Sequence, residues 1–163
     1  MALEHSHQRH EHHAMAEEKA SLTRLAYSAT IHCLTGCAIG EVLGMVIGVA
    51  LGWGNVETVV LSVLLAFLFG YSMTLRPLLA GGMLFRKAAA LALASDTLSI
   101  TVMETIDNAV VLIIPGAMDA GLSSLLFWGS LALSLVAAFV AALPVNRWLI
   151  GKGRGHALVH AHH

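Results

Sequence analysis

Four acidic side chains interrupt the apolar stretches of this sequence, and they are its clearest candidates for chemistry. Glu41 lies in the first apolar stretch, while Asp96, Glu104 and Asp107 lie in the third. No Lys or Arg occurs inside any of the apolar stretches. A carboxylate in apolar surroundings is costly unless it is protonated, hydrated or paired with a cation. The four acids therefore indicate a site that handles protons or cations.

Potential metal ligands lie close to these acids. In the first stretch, an i, i+4 series places Cys33, Cys37, Glu41 and Met45 on one broad face of a helix, with His32 at its start. Thiolate, imidazole, carboxylate and thioether groups all bind transition metals. Buried cysteine and methionine are also common packing residues, so they are weaker evidence for a metal site than the acids.

Depth in the apolar stretches sorts the candidates into two layers. If the first and third stretches are neighbours, the layers form one polar track. The inner layer consists of His32, Cys33, Cys37 and Asp96, with Ser95 and Ser99 nearby. The outer layer consists of Glu41, Met45, Met103, Glu104, Asp107 and Asn108. The alternative is that the carboxyls are protonated and hydrogen-bond to nearby groups, which would hold the helices together.

The elements that must position these residues are membrane-spanning helices. The chain of 163 residues is 57% hydrophobic and 12% charged, and a soluble domain would carry roughly twice that charged fraction. Its apolar residues form blocks of membrane length. We therefore predict an all-α membrane protein, a bundle of four transmembrane helices. The predicted spans are residues 25–53, 58–75, 88–114 and 123–143, with the second and fourth stopped by Pro77 and Pro144.

The basic residues predict the orientation. All nine fall at one end of the predicted bundle: Arg9, Lys19, Arg24, Arg76, Arg86, Lys87, Arg147, Lys152 and Arg154. The positive-inside rule places this end, with both termini, in the cytoplasm. We divide the chain into a cytoplasmic tail at 1–24, a transmembrane domain at 25–150 and a second tail at 151–163, and we expect residues 1–20 to be disordered.

Both tails are rich in histidine, which suits the capture of transition metals. Their histidines are His5, His7, His10, His12 and His13 at one end, and His156, His160, His162 and His163 at the other.

A stripe of glycines predicts close helix packing. Gly36, Gly40, Gly44, Gly48 and Gly52 follow one another at i+4 spacing in the first span. Such a stripe lets another backbone approach closely. The partner is either another helix of this chain or a second subunit, and we expect a homo-oligomer.

Three segments resemble a known family. ATIHCLTGCAIGEVLGMVIG, SDTLSITVMETIDNAVVLIIPGAM and PVNRWLIGKGRGHA are similar to the bacterial membrane proteins grouped as the domain-of-unknown-function 4396 family. The resemblance covers nearly all of residues 25–160. It implies a multi-pass protein of the bacterial inner membrane and leaves its biochemistry open.

The leading hypothesis is a transporter or handler of a transition-metal cation, zinc or copper, with proton exchange. Lipid, the cation and further copies of the chain are its expected partners, and nucleic acid is not. One alternative is a membrane thiol or electron-transfer protein that uses Cys33 and Cys37. The other is a non-catalytic assembly subunit whose acids only specify packing. No soluble-enzyme motif is present.

Overall fold

The chain folds into four long helices, each long and apolar enough to cross a membrane. The computed structural model describes the backbone of residues 2–152 and the side chains of Glu17 and of residues 19–152. The predicted all-α class and the four candidate spans are confirmed. The helices are α1 (Ala2–Leu51), α2 (Asn55–Ala80), α3 (Phe85–Ile113) and α4 (Leu125–Gly151).

Helix α1 begins much earlier than predicted. The expectation of disorder over residues 1–20 is wrong, because α1 is continuous from Ala2 into the first span. The segment contains many good helix formers, among them alanine, glutamate and lysine. Extending an existing helix requires no new nucleation, so the span stabilises the residues before it. The histidine side chains of both tails lie outside the described residues.

The two prolines do not end their helices. Helix α2 continues through Pro77 to Ala80, and α4 continues through Pro144 to Gly151, so both predicted ends are wrong. A proline removes the bond from its own nitrogen to the carbonyl four residues earlier. In membrane helices other donors can satisfy that carbonyl. At Pro77 the freed carbonyl belongs to Met73, and His32 Nε2 lies 3.3 Å from its oxygen.

The glycine stripe packs against α2 within the chain. A Cβ atom built on Gly36 would lie 2.8 Å from the backbone of Gly70, and one on Gly40 would overlap the backbone of Ala66. Gly44 meets Ser62 in the same way. Gly36 to Gly48 of the stripe therefore explain how α1 and α2 approach each other, and they are not free to serve as a contact between subunits. Gly52 follows the end of α1 and has open space around it.

The helices form a ring in chain order. Helix α1 packs most extensively against α2, and α3 packs against α4; α4 also contacts α1, and α2 contacts α3. Helices α1 and α3 meet more lightly across the middle of the ring. The outer surface is apolar, with exposed side chains such as Leu64, Leu68 and Val140. The polar side chains considered below are instead buried between the helices.

Candidate cation site

Three carboxyl groups meet inside the ring at about the middle of the spans. Glu41 comes from α1, and Glu104 and Asp107 come from α3; each is about one-twentieth exposed. We call these three residues the carboxyl cluster. Glu41 lies ten residues before the end of α1, which is about 15 Å at the helical rise of about 1.5 Å per residue. The cluster thus lies near the centre of a hydrocarbon layer about 30 Å thick.

Most carboxyl oxygens of the cluster lack a hydrogen-bond partner among the described residues. Both carboxyl oxygens of Glu41, both of Glu104 and Oδ1 of Asp107 have no hydrogen-bond partner among the described residues. Glu41 and Asp107 nevertheless lie within hydrogen-bonding reach of each other, and Glu104 is close enough for its charge to act on Glu41. Two carboxylates only accept, so the pair can bond only through a shared proton or a bound cation.

A cavity of about 130 Å³ connects the cluster to one end of the bundle. Its deep end is lined by the cluster, with Met45 and Asn108 beside it. Its other end is lined by Trp53, Asn55 and residues of the α3–α4 loop. The cavity is large enough for several water molecules, so a hydrated ion has a route to the carboxyls.

The mouth of the cavity is acidic. Asn55, which lines the mouth, donates from Nδ2 to exposed Asp119 of the α3–α4 loop at 3.2 Å. Exposed Glu57 lies in the first turn of α2 at the same end of the bundle. The loops between α1 and α2 and between α3 and α4 contain no Lys or Arg. Negative charge at a cleft mouth raises the local concentration of cations. The cavity mouth and the carboxyl cluster thus both favour cations.

Below the cluster the ring is closed by packed side chains. This apolar layer comprises Cys37, Ile100, Met103, Ala138 and Ala142, all buried. Met103 packs here and does not line the cavity. Cys37 has Glu104 on one side and Cys33 on the other, each close enough to interact electrostatically with its thiol. It is therefore the polar link between the cluster and the residues beyond the layer.

A small pocket of about 10 Å³ lies beyond the apolar layer. We call it the inner pocket. Polar atoms from three helices line it, contributed by Cys33, Ser95, Asp96, Ser99 and Asn146. Ser95 Oγ donates to Asp96 Oδ1 at 2.8 Å. Asp96 is thus about two helical turns from the cluster and does not share its cavity.

His32 lies apart from both polar regions. Its side chain is on the exposed face of α1, where Nε2–H donates to the Met73 carbonyl oxygen in the tautomer that carries this hydrogen. The structure therefore gives His32 a role at the α1–α2 contact and does not bring it to Cys33 and Asp96.

The candidate ligands do not form a ready-made metal site. Among the described side chains, no group of three or more His, Cys, Asp or Glu residues is arranged to hold a metal ion. The neighbours meet as pairs, Glu41 with Asp107 and Cys37 with Glu104. A metal ion at the cluster would have to draw these carboxyls closer together.

Sequence reasoning missed the contribution of α4. Ser130 lines the cavity, Ser134 lies within hydrogen-bonding reach of Asp107, and Asn146 Nδ2 donates to Thr30 Oγ1 at 2.9 Å. Together with Ala138 and Ala142, they occupy every fourth position of one face. The spacing of these residues is visible in the sequence, but the sequence does not show that this face of α4 contacts the carboxyl cluster.

The fold and the site define a four-helix membrane protein with an uncompensated carboxyl cluster at the end of a cavity. The family model described as Domain of unknown function (DUF4396) matches residues 24–155. The chain belongs to this family, which confirms the resemblance seen in the sequence. No curated protein and no solved structure matches it.

Proposed function

We propose that this protein is an integral membrane transporter of a transition-metal cation, which the carboxyl cluster binds in exchange for protons. One observation supports the proposal most strongly: carboxyl oxygens of Glu41, Glu104 and Asp107 are buried without donors at the closed end of an acid-mouthed cavity. A divalent cation would neutralise two of these groups and satisfy several oxygens at once.

Zinc fits the surroundings of the cluster better than copper(I). The cluster offers carboxylate oxygens, with the Cys37 thiol in reach of Glu104. Zinc accepts mixed oxygen and sulfur ligands, whereas copper(I) prefers thiolate and thioether ligands. Because a carboxyl or thiol must lose its proton to bind metal, uptake of the ion releases protons.

The proposed orientation places the cavity mouth outside the cytoplasm. The basic residues gather at the opposite end of the bundle, and the positive-inside rule assigns that end to the cytoplasm. In this arrangement the protein lies in the bacterial inner membrane, and both histidine-rich tails receive metal on the cytoplasmic side.

Zinc binding by the full-length protein in detergent tests the cluster directly. The variants Glu41→Gln and Asp107→Asn keep side-chain shape and remove a charge. We expect each to bind one zinc ion fewer than the wild type, while Glu17→Gln, an exposed acid on α1, binds as many. The tails are identical in all variants, so metal held by them cancels in the comparison. Equal zinc content in all four proteins would rule out the cluster as the site.

The contact between two free thiols favours a second candidate, a membrane thiol or electron-transfer protein. Cys33 and Cys37 are both free and buried, and they lie within hydrogen-bonding reach of each other. The double variant Cys33→Ser, Cys37→Ser separates the two functions. A carboxylate-based transporter retains zinc transport that is weakened or altered in selectivity, whereas a thiol protein loses its activity entirely.

A further inference from the structure

The inner pocket contains a set of polar atoms that the carboxyl cluster does not use. It lies between α1, α3 and α4, and its volume of about 10 Å³ is close to that of one water-sized sphere. Cys33, Asp96, Ser99 and Asn146 line it, and all four are more than nine-tenths buried. A space of this size can hold one dehydrated ion in direct contact with the protein.

Two of the lining groups have atoms suited to a ligand. Ser99 is 2% exposed, and its hydroxyl has no hydrogen-bond partner among the described residues. A buried hydroxyl in this state is destabilising until a ligand or a water molecule satisfies it. Asn146 commits its Nδ2 to Thr30, so its Oδ1 is the amide atom that can bind a cation.

Cys37 connects this pocket to the cluster through the apolar layer. Its thiol reaches Cys33 on the pocket side and Glu104 on the cluster side. Ile100 and Met103 are fully packed around it, at 0% and 1% exposure. The inner pocket and the cavity are thus separate compartments, and the Cys37 side chain lies between them in the apolar layer.

We propose that the inner pocket is a second site for a divalent metal cation, on the same path as the carboxyl cluster. The Cys33 thiolate and the Asp96 carboxylate are its charged ligands, and Ser99 Oγ and Asn146 Oδ1 are its neutral ones. The two negative charges neutralise the ion, and the thiol proton leaves to solvent when the metal binds. A mixed sulfur and oxygen set suits zinc and cobalt(II). The path through the layer rests on the proposed transport function.

Cobalt(II) titration of the full-length protein in detergent tests this site. Coordination of cobalt(II) by a thiolate produces a ligand-to-metal charge-transfer absorption band. Both cysteines of the chain lie in α1 near the pocket, and neither histidine-rich tail contains one. The tails are therefore silent in this measurement. We expect the band in the wild type and in Cys37→Ser, in which Cys33 is the remaining thiol of the chain, and we expect its loss when Cys33→Ser is added to Cys37→Ser.

The carboxylate ligand is tested in the same assay in the Cys37→Ser background, where the band reports Cys33 alone. Asp96→Asn should weaken cobalt affinity, read from the band, at least tenfold. Glu17→Gln, an exposed acid on α1 before the first span, should leave it unchanged. Absence of the band from Cys37→Ser, or equal cobalt affinities in Cys37→Ser with and without Asp96→Asn, would overturn the inner site.

Failure of this inference and failure of the proposed function give different results. Glu41→Gln alters the outer cluster and should leave the cobalt–thiolate band intact. If the cobalt–thiolate band forms as expected while Glu41→Gln transports zinc normally, the inner site is supported and the proposed role of the cluster is refuted. If Glu41→Gln stops transport and no band forms, the cluster is supported as the transport site and the inner site is refuted.

Discussion

Replacing Glu41 with glutamine should stabilise the empty protein while removing its cation site. In the native chain both carboxyl oxygens of Glu41 are buried without a donor, facing Asp107. A glutamine amide can donate to the Asp107 carboxyl and carries no charge. An unsatisfied buried polar group costs about 1–3 kcal/mol. For a chain of this length each kcal/mol shifts Tm by about 2–4 °C, so we expect a rise of about 2–12 °C.

Thermal unfolding in detergent can be followed through the native cysteines. Cys33 and Cys37 are both buried, so a thiol-reactive fluorophore reports their exposure as the bundle opens. Without metal, Glu41→Gln should unfold at a higher temperature than the wild type, and Glu17→Gln at the same temperature. Added zinc should raise the Tm of the wild type and of Glu17→Gln more than that of Glu41→Gln, because only a ligand that binds the folded state stabilises it.

A lower Tm for Glu41→Gln, with Glu17→Gln unchanged, would refute this reasoning. It would show that the Glu41 carboxyl makes stabilising hydrogen bonds, as expected of an assembly subunit whose acids hold the helices together. An equal rise of Tm on addition of zinc in all three proteins would show that the cluster does not bind the cation.

Three further predictions concern the packing that positions the site. Gly40→Leu should destabilise the protein by about 1–3 kcal/mol or more, because the leucine side chain would push α1 away from α2. The control Gly129→Leu lies in open space and should change Tm by no more than a degree or two. An equal fall of Tm in both variants would contradict the role of the stripe. His32→Ala should lower the free energy of unfolding by about 1 kcal/mol in the native chain. The loss should be much smaller in Pro77→Ala, because the alanine N–H can bond the Met73 carbonyl in place of His32. Additive effects of the two substitutions would exclude this carbonyl contact. Asn146→Ala should cost about 0.5–1.5 kcal/mol, because it removes one buried hydrogen bond while Thr30 keeps its donation to the Ala26 carbonyl. An unchanged unfolding temperature would count against that bond.

The spans could be predicted from the sequence because membrane length and apolar composition leave little choice. The helix ends could not. The sequence predicts that Pro77 and Pro144 end their helices, because a proline inside a soluble helix is costly. In the folded chain His32 satisfies the carbonyl that Pro77 frees, a contact between residues far apart in sequence. The early start of α1 also depends on its continuity with the span.

The candidate site could be predicted in part. Glu41, Glu104 and Asp107 were placed in one layer by depth and helical spacing, and the structure brings them together. Whether α1 and α3 face each other depends on the ring order of all four helices, which no local pattern gives. For the same reason Ser134 and Asn146 of α4 were not assigned to the site. Serine and asparagine in an apolar helix show no preference for one neighbour over another.

Zinc flux into vesicles containing the purified protein tests the central claim most directly. A zinc indicator and a pH indicator inside the vesicles record the two ions together. The proposal predicts zinc uptake with proton movement in the opposite direction, reduced at least tenfold in Glu41→Gln and in Asp107→Asn and unchanged in Glu17→Gln. Equal zinc flux through the wild type and both cluster variants would contradict it.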